Sequence, residues 1–256
     1  MRNPSLDPYT ETTMKRILII GATSGIGWET AHAFIREGWH VGAAGRNTER
    51  LALLQKSTPE QVTVGRIDLL DPQAPDQMRA LIGQMGGCDV LLNCAGIGYN
   101  NPALDPGREI DTTRTNVEGF TRIMTAAFHY FRQQRGGHLA DISSIAGTKG
   151  LGAAAAYSAS KRYQNTYLDA LAQLSRTEHL NIRITDIRPG FVDTPLLREG
   201  KYPMLMSPKK VAARIVRAIR HKRRRIVIDR RYAVLVFFWR LIPEWLWERL
   251  PIHTRS

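Results

Sequence analysis

From Lys15 onward, short apolar runs alternate with longer stretches in which apolar residues recur at helical spacing, the pattern of a parallel sheet with crossover helices. Strands are predicted over 16–20, 40–44, 61–67, 90–93, 138–142, 182–187 and 225–228, and helices over 27–37, 48–55, 75–84, 108–134, 153–178 and 208–221. Parallel strands are covered on both faces, so their runs are continuously apolar, and βαβ crossovers are nearly always right-handed. The expectation is an α/β protein: a three-layer, doubly wound parallel sheet of seven strands in a single domain, with a C-terminal helical extension. A length of 256 residues fits one such domain.

At 43% hydrophobic and 23% charged, the chain can bury a core and is neither fibrous nor wholly disordered. Two cysteines, Cys88 and Cys94, exclude a disulfide framework, and no Cys/His spacing among the seven histidines resembles a zinc site. A reducing compartment, the cytoplasm, and no metal are expected. The opening 1–13 is polar and proline-punctuated, unlike a signal peptide, and reads as a disordered lead-in to a domain over 14–229. The net charge of +13 is lopsided: residues 201–256 hold 15 Lys/Arg against 3 Asp/Glu, while the rest is near balance. With no nucleic-acid reading motif, that local basicity excludes nucleic acid as the expected partner.

Two constellations carry chemistry. The first predicted strand runs into Gly21-Ala22-Thr23-Ser24-Gly25-Ile26-Gly27 and then a helix. Missing side chains let the backbone approach a pyrophosphate, and the helix offers unsatisfied N–H groups to its charge. In its strand-turn-helix setting this reads as a dinucleotide cradle of Rossmann type. The second is Tyr157-Ser158-Ala159-Ser160-Lys161 entering a helix, with Ser144 thirteen residues earlier at the end of a strand. The four-residue spacing puts Tyr157 and Lys161 on one face. Lowering a phenol pKa by roughly three units takes about 4 kcal/mol of phenolate stabilisation, which a nearby ammonium and an oxidised nicotinamide would supply.

These motifs, in this order over about 15–228, resemble the short-chain dehydrogenase/reductase family. The resemblance implies that Gly21, Gly25 and Gly27 cradle the pyrophosphate, Ile26 contacts the cofactor, and Asp68 meets the adenine amino group. Asn93-Cys94-Ala95-Gly96 is similar to the family's N-N-A-G under the adenosine ribose. Asn116 corresponds to the residue holding a proton-relay water, Ser144, Tyr157 and Lys161 to the rest of a catalytic tetrad, and Pro189, Gly190, Val192 and Thr194 to the loop fixing the carboxamide. Two positions depart from the pattern: Cys94 replaces an Asn whose side chain braces the sheet, and Asp141 places a carboxylate, needing a partner if buried, on a strand where the family often carries a neutral residue. Ser143 reads as structural. Ser158-Ala159-Ser160-Lys161 also reads S-x-x-K, but the companion β-lactamase elements are absent.

No acid stands after the second predicted strand to hold a ribose 2′-OH. Arg46 stands there instead, suited to a 2′-phosphate, so NADP(H) is expected, with Thr23 and Ser24 adding hydroxyl contacts. Beyond the seventh strand, 230–256 holds three of the five Trp, a seven-residue apolar run over 233–239 too short to span a bilayer, and Pro243, which divides it into two short helices. Two readings stay open: peripheral membrane contact through basic and indole side chains, or packing on the domain or a sister subunit over the pocket.

The expected function is an NADP(H)-dependent carbonyl–alcohol oxidoreductase acting on a hydrophobic small molecule. An apolar lid is expected over 195–206, and the resemblance implies a homodimer or homotetramer. The alternatives are a 3-oxoacyl-carrier-protein reductase and a non-catalytic NADP(H)-sensing module.

Overall fold

Aliphatic residues at alternate positions of the first strand serve opposite faces: Ile17 and Ile19 pack in one core, Leu18 and Ile20 in the other. The computed structural model describes residues 14–197 and 202–251; the expected lead-in over 1–13 lies outside them. Seven strands form one sheet: β1 Arg16–Ile20, β2 His40–Gly45, β3 Val62–Arg66, β4 Val90–Asn93, β5 Gly137–Ile142, β6 Ile182–Arg188 and β7 Arg225–Val227. Their order is β3-β2-β1-β4-β5-β6-β7, every pair parallel. The doubly wound, single-domain sheet predicted from the runs is the one observed.

The chain direction across the sheet reverses between β1 and β4, where open α/β sheets bind ligands at the carboxyl ends of their strands. Register lines those ends up, with Ile20 opposite both Ala44 and Asn93, and Asn93 opposite Asp141. One core holds residues of α1 Gly25–Arg36, α2 Thr48–Ser57 and α7 Pro208–Arg220; the other holds residues of α3 Ala74–Gln84, α5 Phe120–Gln133 and α6 Ala155–Thr177.

The predicted helix 108–134 is not one α-helix. It opens as α4 Pro106–Thr113, capped by Asp105 accepting from Arg108 N (2.9 Å), widens into a π-helical turn at Arg114–Gly119, and continues as α5. Gly119 is held tightly there, since a Cβ would lie 2.7 Å from Leu69 Cβ. π turns insert a residue without breaking the helix, so a 3.6-residue periodicity does not reveal them.

Beyond β7 come α8 Arg230–Leu241 and α9 Glu244–Trp247, with Pro243 between them. Both fold back on the domain. Tyr232, buried, donates to Pro203 O (2.8 Å) and accepts from Phe191 N (3.1 Å). Lys149 Nζ donates to Ile242 O (2.9 Å), and Trp247 Nε1 to Gly150 O (2.7 Å).

Candidate active site

The turn after β1 is closed tightly at two positions where no side chain fits. Gly21 has φ +86°, and a Cβ on it would lie 2.6 Å from Ala95 N; one on Gly27 would lie 2.1 Å from Gly21 O. Gly21 N and Ala22 N both donate to Ala44 O (2.8 and 2.9 Å), locking the turn onto β2. Ser24, at the N-cap of α1, makes no side-chain capping bond, so its hydroxyl does not occupy the first-turn N–H groups that an anion site requires. Past the end of β2, Arg46 is exposed and lines the same cavity. Asn47 caps α2 by accepting from Arg50 N, and the Arg50 guanidinium stacks on Trp28 while donating to Thr23 O.

Tyr157 and Lys161 sit one turn apart in α6, facing the end of β5, where Ser144 begins a 3₁₀ turn and accepts from Ala146 N (3.0 Å). Burial pushes the Tyr157 phenol up and a hydrogen bond from Ser144 pulls it down, with burial the larger effect, so the phenol stands protonated. The Tyr157 ring lies against Gly98, where a Cβ would come within 2.5 Å of Cδ2. Lys161 is buried; its Nζ donates to Ile142 O (3.0 Å) and Gln164 Oε1 (2.9 Å) and lies 5.8 Å from the Tyr157 ring centroid.

The π turn places Asn116, fully buried, behind this pair. Its amide oxygen accepts from Ile97 N (2.9 Å) and its amide nitrogen donates to Ile97 O (2.7 Å) and Ser160 Oγ (3.1 Å). Its backbone carbonyl accepts from Gln164 Nε2 (3.0 Å). The link from Lys161 to Asn116 therefore runs through the Gln164 amide. The sequence reading, which expected a relay water at Asn116, missed this residue. Its spacing was a usable signal, because Gln164 follows Lys161 by three positions and Tyr157 by seven, and so shares their helix face.

Two carboxylates lie beneath the site. Asp141, fully buried, accepts from Asn93 Nδ2 (2.7 Å), the partner that its position on β5 demanded. Burial raises its pKa to about 7 against the pull of Lys161 and the Asn93 bond. The same bond turns Asn93 into the sheet and supplies a β4–β5 brace beside Cys94. Burial lowers the Lys161 pKa, while Asp141 and Asp186 oppose the shift. Asp186 is held by Arg188 (2.5 Å) and accepts from Ser143 Oγ (2.5 Å), so Ser143 braces the sheet beneath Ser144.

One cavity of about 1070 Å³ joins the glycine turn to Ser144, Tyr157 and Lys161. Of the expected site residues, all line it except Asn93 and Asn116, which act from behind its wall. Of the expected apolar lid, Leu196, Leu197, Tyr202 and Met204 line it too, whereas Leu205 is exposed away from it and Met206 is buried in the core; 198–201 of that segment lie outside the described residues. Tyr232, Leu235 and Trp239 of α8 complete the wall, as the reading that packs the tail over the pocket expected; Leu235 and Trp239 belong to the apolar run 233–239, and Tyr232 lies just before it. Gly190 makes room for the Tyr232 ring, since a Cβ there would lie 2.3 Å from it.

Residues 15–202 match the short chain dehydrogenase family. The chain belongs to that family and is an oxidoreductase of it. An uncharacterized oxidoreductase of Myxococcus xanthus is 34% identical over 200 residues, covering 76% of this chain and 78% of the relative. Dehydrogenase/reductase SDR family member 7B of Bos taurus is 31% identical over 260 residues, covering 91% of this chain and 79% of its own. Among solved structures, a variant of actinorhodin polyketide ketoreductase with NADPH superposes with TM-score 0.71 at 26% identity, over 80% of this chain and 90% of that one. ElxO with NADP bound gives TM-score 0.75 at 23% identity, covering 86% and 99% of the two chains, and supports the fold.

Proposed function

We propose that this short-chain dehydrogenase uses NADP(H) to interconvert a ketone or aldehyde with its alcohol, on a hydrophobic, lipid-like substrate. The observation that carries the reading is that Ser144, Tyr157 and Lys161 open into the same cavity as a glycine turn that admits no Cβ at Gly21 or Gly27. That turn fits a pyrophosphate, and Arg46, with no acid at the end of β2, fits a 2′-phosphate. The NADPH in the ketoreductase structure agrees with this choice. When bound, the dinucleotide supplies or takes up the hydride.

The rest falls to the chain's own side chains. Ser144 orients the carbonyl by hydrogen bonding. Tyr157, kept protonated by burial, donates the proton in the reductive direction. Lys161, anchored by Ile142 O and Gln164, directs its remaining donor capacity toward the nicotinamide ribose, and its charge stabilises the phenolate left behind. Asn116, clamped to Ile97, fixes Gln164 from behind. Leu196, Leu197, Tyr202, Met204, Leu235 and Trp239 give the substrate end its apolar character. Assembly as a homodimer or homotetramer is part of the same reading.

A screen of NADPH and NADH consumption against steroid, fatty and aromatic carbonyls tests it; turnover of an apolar carbonyl with NADPH preferred is expected. No oxidation or reduction across carbonyls and alcohols, in protein that binds NADPH, would make this a sensing module. The exposed basic face of α7, with Lys209, Lys210, Arg214, Arg217 and Arg220, favours a second substrate reading, an acidic carrier bearing a 3-oxoacyl group. Turnover confined to acyl-carrier thioesters would establish it.

A further inference from the structure

Helix α8 is apolar on two faces. Tyr232, Leu235, Val236 and Trp239, at positions i, i+3, i+4 and i+7, pack inward. Val234, Phe237, Phe238 and Leu241 repeat the same spacing on the opposite side, and Trp245 of α9 follows; these five are 57–63% exposed. A helix apolar all round is ordinarily covered on every side, and a strip of large apolar side chains is not the scattered exposure of an ordinary surface.

The surrounding charge indicates what covers it. Arg162, Arg225 and Arg240 are exposed. Partial burial lowers the Arg240 pKa, and Arg188, Arg225 and Arg162 add to that effect, with Asp169 opposing. Asp169 is already engaged by Arg224 (2.6 Å) and Arg225 (2.7 Å). Glu244 opens α9 and Glu248 follows its end, the two acids of this segment. A positive cluster of this kind is relieved by an anionic partner, whereas a second copy of the chain packed on the same face would bring more arginine to it.

We propose that the outer face of α8 and α9 docks on an anionic lipid surface, the apolar strip entering the headgroup boundary and the arginines meeting headgroup phosphates. Among the described residues no helix is long and apolar enough to cross a membrane, so α8 lies in the plane of the surface. Its 12 residues give about 18 Å of contact. Trp245 stands at the depth where indoles are favoured. Leu235 and Trp239, on the inward face of the same helix, line the cavity, so docking sets the substrate end of the cavity one helix away from lipid. This consequence for substrate delivery, unlike the docking itself, rests on the function proposed above.

Co-sedimentation of the full chain with phosphatidylcholine vesicles, with and without phosphatidylglycerol, tests docking without any substrate. Its failure and a failure of the catalytic reading are therefore separate results. Binding is expected to need phosphatidylglycerol and to weaken as salt rises. The variant Phe237→Ser/Phe238→Ser is expected to lose about ten-fold or more in partition, and Arg240→Gln about five-fold, the worth of one arginine near an anionic surface. Both should keep the wild-type melting temperature, subunit number and turnover of a water-soluble carbonyl. Wild-type protein that ignores phosphatidylglycerol vesicles at low salt overturns the proposal. So does a Phe237→Ser/Phe238→Ser variant that changes subunit number while binding vesicles as wild type does, because the strip then joins copies of the chain.

Discussion

Lys161 is surrounded by groups that disagree about its charge. Burial disfavours the ammonium, Asp141 and Asp186 favour it, and Ile142 O and Gln164 Oε1 accept its protons. Gln164→Leu removes one acceptor, worth about 1.5–3 kcal/mol to a charged donor. The alkaline limb of the pH–rate profile should therefore move down by about one to two units, with NADPH affinity little changed. Gln164→Glu, which keeps an acceptor, should move it back; a limb that stays put in both variants makes Gln164 purely structural. Asp141 offers a second test. Its folded-state pKa of about 7 lies above the ordinary carboxylate value, so the fold favours the protonated acid. That contribution is fully present below about pH 4 and is lost as pH rises through 7. Asp141→Asn lacks it, and its melting temperature should gain on wild type between pH 5 and pH 8; an unchanging difference assigns the burial penalty to another group. At the cradle, Arg46→Ala should weaken NADPH at least about ten-fold and leave NADH nearly unaffected, since only NADPH carries the extra phosphate. Equal losses of both in a titration contradict the cofactor choice.

At the level of elements, strands were the most legible part of the sequence. Fully covered parallel strands are continuous apolar runs, and all seven lie within a residue or so of their predicted ends. The Tyr157/Lys161 pair on α6 was legible because the two stand four positions apart, with Ser144 thirteen before Tyr157. The π turn at Arg114–Gly119 was not, because periodicity averages over the one inserted residue that turns Asn116 toward Ile97. Nor was the anchoring role of Tyr232 within the tail, since it acts through contacts remote in sequence, at Phe191 and Pro203, and through a space that Gly190 leaves open. The sequence left two readings for the tail, and the structure shows its inner face packed on the domain. If Tyr232 holds the substrate loop, Tyr232→Phe should raise the KM for the carbonyl several-fold without altering the NADPH Kd. Equal KM values in wild type and variant would mean that ring packing alone positions the loop.

Across the whole molecule, the sheet places the glycine turn at the end of β1 and Ser144 beyond the end of β5, facing Tyr157 and Lys161, and α8 closes the apolar side of the cavity they share. The proposed assembly predicts a homodimer or homotetramer by light scattering at micromolar concentration, and a stable monomer there contradicts it. The central claim is that Tyr157 delivers the proton that completes hydride transfer, while the cofactor is held without need of its hydroxyl. Tyr157→Phe removes the hydroxyl and leaves Gly21, Gly27 and Arg46 untouched. The measurement is NADPH oxidation with the best carbonyl substrate, paired with NADPH binding by fluorescence, for wild type and Tyr157→Phe. The account predicts a rate at least about 100-fold lower with NADPH affinity within about two-fold of wild type; a variant retaining a tenth of the wild-type rate would contradict it.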